Sequence, residues 1–414
     1  MNHIPVVYLA SYFLSLLGNS IASIALPLIV LQTTGSVLGA GAVAAASAIP
    51  AVLAGLFMGV VIDRINRITS SVVTDLISAA AIAALPLIDL LTGLSIGWFV
   101  VFGVIGSLGD VPGMTARDAL LPAVVRHGKV GAERLMGVRE SLGAVAMLIG
   151  PAAAGTLMVL LDGSTVLWIT AGTSLAAALT TLLIPRPVGA VEDAAEVSRR
   201  ATSAWRELLE GWAALSRSRF LVIVTSLSLA SVVVLTAFQG IILPVYFSLS
   251  DTPGLLGFVL SALALGLMIG GVTYSIAGAK GSRGAWLLSG LAGVTLGFVV
   301  IASLSSPVAI FAGAIIVGMA SGLFGSLVGV LMIESIPDAL RGRVMGTQNA
   351  LITAAGPAAM AIAAVLVEWG SLHIAAIAFV ALWTLAALAA AFSPSLRMLN
   401  SSSTSSSEVT AASE

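Results

Sequence analysis

The sequence predicts an all-α integral membrane protein with twelve transmembrane helices, and three observations support this fold class. Of 414 residues, 58% are hydrophobic and only 9% are charged, whereas soluble domains carry roughly 25% charged residues. About twelve apolar stretches are each long enough to cross the ~30 Å hydrocarbon core of a bilayer. If these stretches alternate in direction from an inner N-terminus, every Lys and Arg lies in or beside an inner loop, in agreement with the excess of basic residues in cytoplasmic loops.

The predicted transmembrane segments fall into two sets of six. They cover residues 5–31, 38–61, 71–92, 95–116, 135–160, 164–184, 220–247, 254–277, 285–304, 307–332, 343–367 and 371–392. The outer loops carry acids and no base: Asp89, Asp162, Asp251 and Glu368. We therefore predict an N-terminal six-helix half at 1–185, a cytoplasmic linker at 186–219, a C-terminal six-helix half at 220–393 and a cytoplasmic tail at 394–414.

The linker and the tail have distinct compositions. In the linker, large apolar residues recur at helical spacing: Trp205, Leu208, Leu209, Trp212 and Leu215. This pattern predicts an amphipathic helix on the inner membrane surface, and a tether between the halves is favoured over a regulatory role. The tail is rich in Ser and Thr, a composition that predicts disorder.

The two halves contain similar motifs in the same order. Leu121-Pro122, Arg134-Leu-Met-Gly137 and Gly150-Pro151 in the first half correspond to Ile336-Pro337, Arg343-Val-Met-Gly346 and Gly356-Pro357 in the second. Parallel six-helix repeats of this kind place a shared cavity between the halves, near the bilayer midplane. The repeat therefore favours a transporter.

The loop after the second segment contains a charged motif, Gly59-Val-Val-Ile-Asp63-Arg64-Ile-Asn-Arg67. A carboxylate at a helix end can accept hydrogen bonds from the unpaired N–H groups of another helix, and the bases can pair with an acid such as Asp118. The motif thus predicts a conformational latch on the inner side. The alternative is a solvated turn whose charges only set the topology.

The latch motif resembles the signature loop of the major facilitator superfamily, with Asn66 where that family usually has Gly. The resemblance implies that Asp63 meets the start of the eleventh segment near Val344. Gly150, Pro151 and Gly155 resemble the family's antiporter motif, in which Pro and Gly make a helix bendable. Residues 336–346 resemble the macrolide-efflux-like branch of the drug–proton antiporters, which also includes siderophore exporters and lysophospholipid flippases.

Charged residues inside the segments are candidates for proton coupling, because a charge facing lipid is costly. Asp110 lies in the fourth segment, and Arg139 and Glu140 lie in the fifth. Since these segments are neighbours in the chain, the three residues could form one buried cluster that loads and releases a proton. The alternative is a structural ion pair of Arg139 with Asp110 or Glu140. Asp75 is predicted to be a charge at a helix end.

Uncharged residues at similar depth are candidates for a substrate cavity. Asn19 in the first segment, Phe238 and Gln239 in the seventh, and Asn349 in the eleventh form this set. Hydrogen bonds between helices are an equal alternative for the amides, and core packing is the alternative for Phe238. No buried base is expected at mid-depth, which argues against phosphate-bearing substrates.

Several other functional classes are disfavoured. The chain has no Cys and three scattered His residues, so we predict no metal site. No phosphate-binding Gly-rich loop with Lys and Ser or Thr occurs, which argues against ATP-driven transport. No Ser, His and acid set indicates catalysis, so we predict neither enzyme activity nor a cofactor. The basic residues are topology signals and do not indicate nucleic-acid binding.

The predicted function is export of hydrophobic or amphipathic, drug-like compounds by proton antiport with alternating access. The expected setting is a bacterial cytoplasmic (inner) membrane, with both termini cytoplasmic and the protein monomeric. Its expected partners are a small lipophilic substrate, protons and the lipid bilayer. A lysophospholipid or siderophore translocator and a non-transporting sensor or scaffold remain as alternatives.

Overall fold

The computed structural model describes residues 3–62, 65–190, 211–278, 282–336 and 338–393. Twelve long helices form this described part. They are α1 (Ile4–Thr34), α2 (Val37–Ile62), α3 (Arg67–Thr92), α4 (Ile96–Gly128), α5 (Ala132–Leu160), α6 (Gly163–Leu182), α7 (Arg219–Leu249), α8 (Leu255–Ala277), α9 (Arg283–Ala302), α10 (Pro307–Ser335), α11 (Asp338–Trp369) and α12 (Leu372–Ala391).

The helices confirm the predicted fold class. Among the described residues, eleven helices are long and apolar enough to cross a membrane, and the twelfth, α2, has a shorter described apolar stretch at Val37–Ser47. Each predicted segment overlaps one helix, and five segments extend one or two residues past an end of that helix. The largest difference is in α4, which continues to Gly128, well past the predicted end at residue 116. Hydropathy locates the part of a helix within the hydrocarbon, whereas backbone hydrogen bonds continue beyond it.

Side-chain caps begin many of the helices, because the first N–H groups of a helix lack partners within it. Hydroxyl caps precede α7, α9, α10 and α12: Ser218, Ser282, Ser306 and Ser371. Asp162 caps α6, and hydrogen bonds from the side chain and backbone of Thr165 hold the pKa of this carboxyl below its usual value. These caps fix where the helices begin on both predicted sides.

Asn66, which stands where the resembled motif usually has Gly, has a structural role of its own. Its Oδ1 accepts hydrogen bonds from the backbone N–H groups of Ile68 at 3.0 Å and Thr69 at 3.3 Å. Its Nδ2 donates to the carbonyl of Arg186, 2.9 Å away, in a short 3-10 helix at Arg186–Gly189. The residue therefore caps α3 and attaches the chain that follows α6.

Replacing Asn66 with Ala is expected to lower the free energy of unfolding by about 1 kcal/mol, since N-cap losses cost about 0.5–2 kcal/mol. Asn66→Ser should recover the cap but not the bond to Arg186, and so should lie between Ala and the wild type. Thermal unfolding of the purified protein in detergent measures the order. Equal stability of all three proteins would contradict the assigned cap.

The chain forms two compact packing units. Unit 1 consists of Met1–Arg206, Gln239–Ser261 and Pro357–Trp369. Within it, α1 packs against α5 and α6, and α3 packs against α4 and α6. Unit 2 consists of Glu207–Phe238, Ala262–Gly356 and Gly370–Glu414. Within it, α7 packs against α12, and α9 packs against α10 and α12.

The internal packing of each unit shows the sequence repeat. Pro151 in α5 and Pro357 in α11 each lie nineteen residues after the first residue of their helix. A Cβ at Gly150 would meet Ser20 of α1, and a Cβ at Gly356 would lie 3.6 Å from Thr236 of α7. The Gly of each Gly-Pro pair thus lets its helix approach the first helix of the same half.

The predicted linker helix lies partly in the described part. Residues 211–217 are helical, with Leu215 buried and Trp212 exposed. Trp205, Leu208 and Leu209 fall outside the described residues, so an amphipathic helix over the whole stretch stays a prediction.

Candidate functional site

A buried ion pair lies between α3 and α4 in unit 1. Arg117 Nη2 contacts Asp75 Oδ2, and the two side chains are only 2% and 6% exposed. Asp75, which the sequence predicted to be a charge at a helix end, is therefore a buried member of an ion pair. Arg117, which the sequence placed in or beside an inner loop, is likewise buried in this ion pair. The sequence placed Asp75 and Arg117 near helix ends, but spacing along the chain could not predict that each has its partner on the adjacent helix.

Hydroxyl groups extend this ion pair to four helices. Ser15 of α1 donates to Asp75 Oδ1 at 3.3 Å, and Arg117 donates to Ser11 Oγ at 3.4 Å. Ser11 in turn lies 2.5 Å from Thr181 Oγ1 of α6. The network therefore ties α1, α3, α4 and α6 together through polar groups that are all buried.

A polar stripe on α3 was the sequence signal for this network. Ser71, Thr74, Asp75 and Ser78 recur at spacings of three and four residues, which place them on one face of a helix. All four are buried. Since membrane helices keep polar side chains away from lipid, the stripe indicates a face packed against another helix.

Asp110 lies in the same α3–α4 interface, near the middle of α4. Ser78 Oγ donates to Asp110 Oδ1 at 2.6 Å. Gly109 makes the approach close, because a Cβ there would meet Ser78 Oγ and the carbonyl of Thr74. A carboxyl that accepts its hydrogen bond from a hydroxyl can change its protonation without breaking a direct ion pair. This property suits an acid that loads and releases a proton.

Arg139 does not join Asp110. Its guanidinium pairs with Asp118 and lies 3.4 Å from Glu140, and its Cζ lies 4.6 Å from the ring centroid of Tyr12. The structure therefore divides the predicted cluster: Asp110 lies with Ser78, while Arg139 and Glu140 lie with Asp118 and Tyr12. We call Tyr12, Asp118, Arg139 and Glu140 the Arg139 cluster.

Tyr8 connects the Arg139 cluster to the buried ion pair. Its ring stacks on Tyr12 with centroids 6.5 Å apart, and its hydroxyl donates to the carbonyl of Arg117 at 3.2 Å. Tyr8 of α1 therefore contacts both groups, although their ionisable side chains have different partners.

The cavity candidates have different surroundings. Asn19 and Gln239 are half-buried and Asn349 is exposed; Gln239 lies in a π-helical turn at Phe238–Ile242 of α7. Phe238 is only 1% exposed and stacks on Phe298 at 5.8 Å in unit 2. This burial and stacking favour the core-packing alternative for Phe238.

The predicted latch is described only in part. Gly59 lies in α2 and Arg67 begins α3, while Asp63 and Arg64 fall outside the described residues. The contact of Asp63 near Val344 therefore stays a prediction. Asp118, the acid expected to pair with these bases, contacts Arg139, and its expected pairing with Arg64 falls outside the described residues.

The Gly-Pro motif of α5 is a close-packing surface in unit 1. A Cβ at Gly257 of α8 would meet the carbonyl oxygen of Pro151 and the backbone of Gly155. Ser261 of α8 donates a hydrogen bond of 2.5 Å to the carbonyl of Leu148. The motif therefore brings the backbones of α5 and α8 into contact; whether it also bends α5 stays a prediction.

Comparisons with known proteins agree with this helical architecture. The model of the Major Facilitator Superfamily matches residues 8–360. A multidrug efflux pump, Tap, of Mycolicibacterium fortuitum is 30% identical over 92% of this chain and 94% of its own. Tap of Mycobacterium tuberculosis (strain ATCC 25618 / H37Rv) is 28% identical over 92% of this chain and 91% of its own.

Solved transporter structures share the fold at low sequence identity. The nucleoside transporter NupG aligns with a TM-score of 0.72 and 16% identity, over 94% of this chain and 98% of its own. A D-xylose-proton symporter aligns with a TM-score of 0.66 and 16% identity, over 94% and 97%. These structures show the shared fold, while the family model and the Tap relatives support a multi-pass membrane transporter rather than an enzyme. The helices, their repeat and the match over most of the sequence assign this chain to the major facilitator superfamily.

Proposed function

We propose that this chain exports hydrophobic or amphipathic drug-like compounds from a bacterial cytoplasm by proton antiport. The observation that carries the export function is the 30% identity to a multidrug efflux pump across almost the full length of both chains. We place the protein in the cytoplasmic membrane as a monomer with both termini inside. The segregation of basic residues in the sequence supports this orientation.

We assign proton coupling to Asp110. Three features of its position support the assignment: it is near the middle of a transmembrane helix, it is half-buried, and a hydroxyl donates to it. Intramembrane carboxyls often mark proton relays. Arg139 and Glu140, which the sequence grouped with Asp110, lie in a different cluster, so we assign them no direct part in the protonation of Asp110.

Asp110→Asn is expected to abolish proton-driven efflux, because the amide keeps the size of the side chain but cannot release a proton. The assay follows loss of fluorescent ethidium from preloaded, energised cells that lack their own pumps, with and without a protonophore. The wild type should lose ethidium rapidly and only without the protonophore. Asp110→Asn should match cells without the transporter at equal membrane expression.

Asp251→Asn is the matched control. It makes the same chemical change in the loop between α7 and α8, at a left-handed backbone position with φ of 53° that Asn tolerates. Its efflux should equal that of the wild type. Protonophore-sensitive efflux that survives in Asp110→Asn would refute the assignment of Asp110.

A further inference from the structure

Ser78 is the buried hydroxyl group in contact with Asp110. It lies on the polar stripe of α3, is only 4% exposed and donates to Asp110 Oδ1 at 2.6 Å. We propose that Ser78 is a positioning residue that sets the pH at which Asp110 exchanges its proton, by reversing their hydrogen bond when the carboxyl becomes protonated. The inference rests on the proposed proton antiport and adds the group that regulates it.

A hydroxyl group can partner a carboxyl in both of its protonation states. A serine Oγ has one hydrogen to donate and lone pairs with which to accept, whereas Lys and Arg can only donate. Ser78 donates to Asp110 in the structure, as an ionised carboxyl requires. A protonated Asp110 could donate its new hydrogen to Ser78 Oγ through the same contact. Neither state then has the cost of an unpaired buried polar group.

The hydrogen of Ser78 has a second acceptor close by. Serine side chains in helices commonly donate to the carbonyl four residues earlier, which here belongs to Thr74. Ser78 Oγ and this carbonyl oxygen both lie within 2.6 Å of the position that a Cβ would take at Gly109 of α4, so the two oxygens are neighbours.

Loading a proton therefore requires only small movements. The added proton becomes the carboxyl hydrogen of Asp110 and forms the hydrogen bond to Ser78 Oγ. The hydrogen of Ser78 stays on its own oxygen and turns to the carbonyl of Thr74. Release of the proton reverses both changes, and no other covalent bond forms or breaks.

The other ionisable groups around α4 have contacts of their own. α4 packs against α1, α2, α3, α5 and the short segment at Arg186–Gly189, and α2 contributes no ionisable residue. Apart from residues at helix ends and Arg186, these elements and α4 itself carry Asp75, Arg117, Tyr8 and the Arg139 cluster. Asp75 pairs with Arg117, and Tyr8 donates to the carbonyl of Arg117. Within the described part, the hydrogen bond from Ser78 is therefore the side-chain contact made directly to the titrating carboxyl.

A purely structural hydrogen bond between α3 and α4 gives a different expectation. Its loss would weaken the fold, and any effect on drug binding would be the same at every pH. In the proposed role, the loss acts chiefly on the ionised state, because hydrogen bonds to charged groups are stronger than those between neutral groups. A protonated Asp110 could still donate to the carbonyl of Thr74.

The test measures the Kd of ethidium for the purified protein in detergent as a function of pH, by fluorescence anisotropy. Ethidium is a permanent cation, so its own charge does not change with pH. In an antiporter the proton and the drug exclude each other. The Kd should therefore be constant at high pH and rise below the pH at which Asp110 is half protonated. Asp110→Asn should make the Kd independent of pH.

Ser78→Ala is expected to move the rise in Kd about one pH unit higher, a tenfold change in proton concentration, because the ionised carboxyl loses its donor. Above the rise, the Kd of this variant should equal that of the wild type, which also reports that it is folded. Ser78→Thr keeps the hydroxyl and should retain the wild-type pH dependence. Ser174→Ala is the matched control: it removes a hydroxyl of α6 that is only 2% exposed and should not move the rise.

The outcomes separate the role of Ser78 from proton antiport. If the rise is absent in Asp110→Asn but stays at the wild-type pH in Ser78→Ala, the role of Ser78 is wrong while antiport stands. If the wild-type Kd does not change with pH, both proposals fail.

Discussion

Arg117→Ala is expected to lower the free energy of unfolding by about 3–5 kcal/mol, the cost of leaving one partner of a buried ion pair without its counter-charge. Of the contacts within the described part, Asp75 would keep the hydrogen bond from Ser15. The change would also remove the hydrogen bond from the Arg117 side chain to Ser11 of α1, while the bond from Tyr8 to the backbone carbonyl of residue 117 would remain.

Thermal unfolding in detergent, followed by size-exclusion chromatography, measures this loss. Arg134→Ala, which truncates an exposed Arg, should change the free energy of unfolding by less than about 0.5 kcal/mol. The double variant Asp75→Asn/Arg117→Met removes both charges and should recover much of the stability, because two neutral groups carry no uncompensated charge. If the double variant were less stable than Arg117→Ala, the uncompensated charge of Asp75 would not be the cause of the loss in stability.

Gly257→Ala is expected to destabilise the protein by about 1–3 kcal/mol, the usual cost of forcing extra atoms into a packed interface. The new Cβ would meet the backbone of Pro151 and Gly155, and backbone atoms cannot rotate away as a long side chain can. The outer ends of α5 and α8 would have to separate.

A Gly-to-Ala substitution at an open position should instead increase stability. A Cβ at Gly172 of α6 meets nothing within 4 Å, so Gly172→Ala should raise stability by up to about 1 kcal/mol through helix propensity. Thermal unfolding of both variants, side by side, makes the comparison. Similar effects at the two positions would contradict close contact between α5 and α8.

The fold was largely predictable because hydropathy and charge each carry a strong signal. Apolar stretches of about 20 residues have one stable arrangement in a bilayer, a helix with its backbone hydrogen bonds satisfied. The repeat of Gly150-Pro151 and Gly356-Pro357 located equivalent helices. Helix ends were less predictable: α4 extends to Gly128 because a helix can continue into the polar region.

The partners of the charged residues were not predictable from spacing along the chain. Asp110, Arg139 and Glu140 lie on consecutive helices, yet each helix presents several faces, and rotation about the helix axis decides which residues meet. That rotation puts Asp110 beside Ser78 and Arg139 beside Asp118. The polar stripe on α3 that includes Asp75 and Ser78 could have identified the buried face, since its spacing alone places those side chains together.

The most direct test of proton-coupled export reconstitutes the purified protein alone into proteoliposomes and imposes a pH gradient. Ethidium should move against its concentration gradient when protons flow the opposite way, and the external pH should change with it. Nigericin, which collapses the gradient, should stop both, and Asp110→Asn should show neither. Ethidium transport by the wild type that is equally fast with and without a pH gradient would contradict proton antiport.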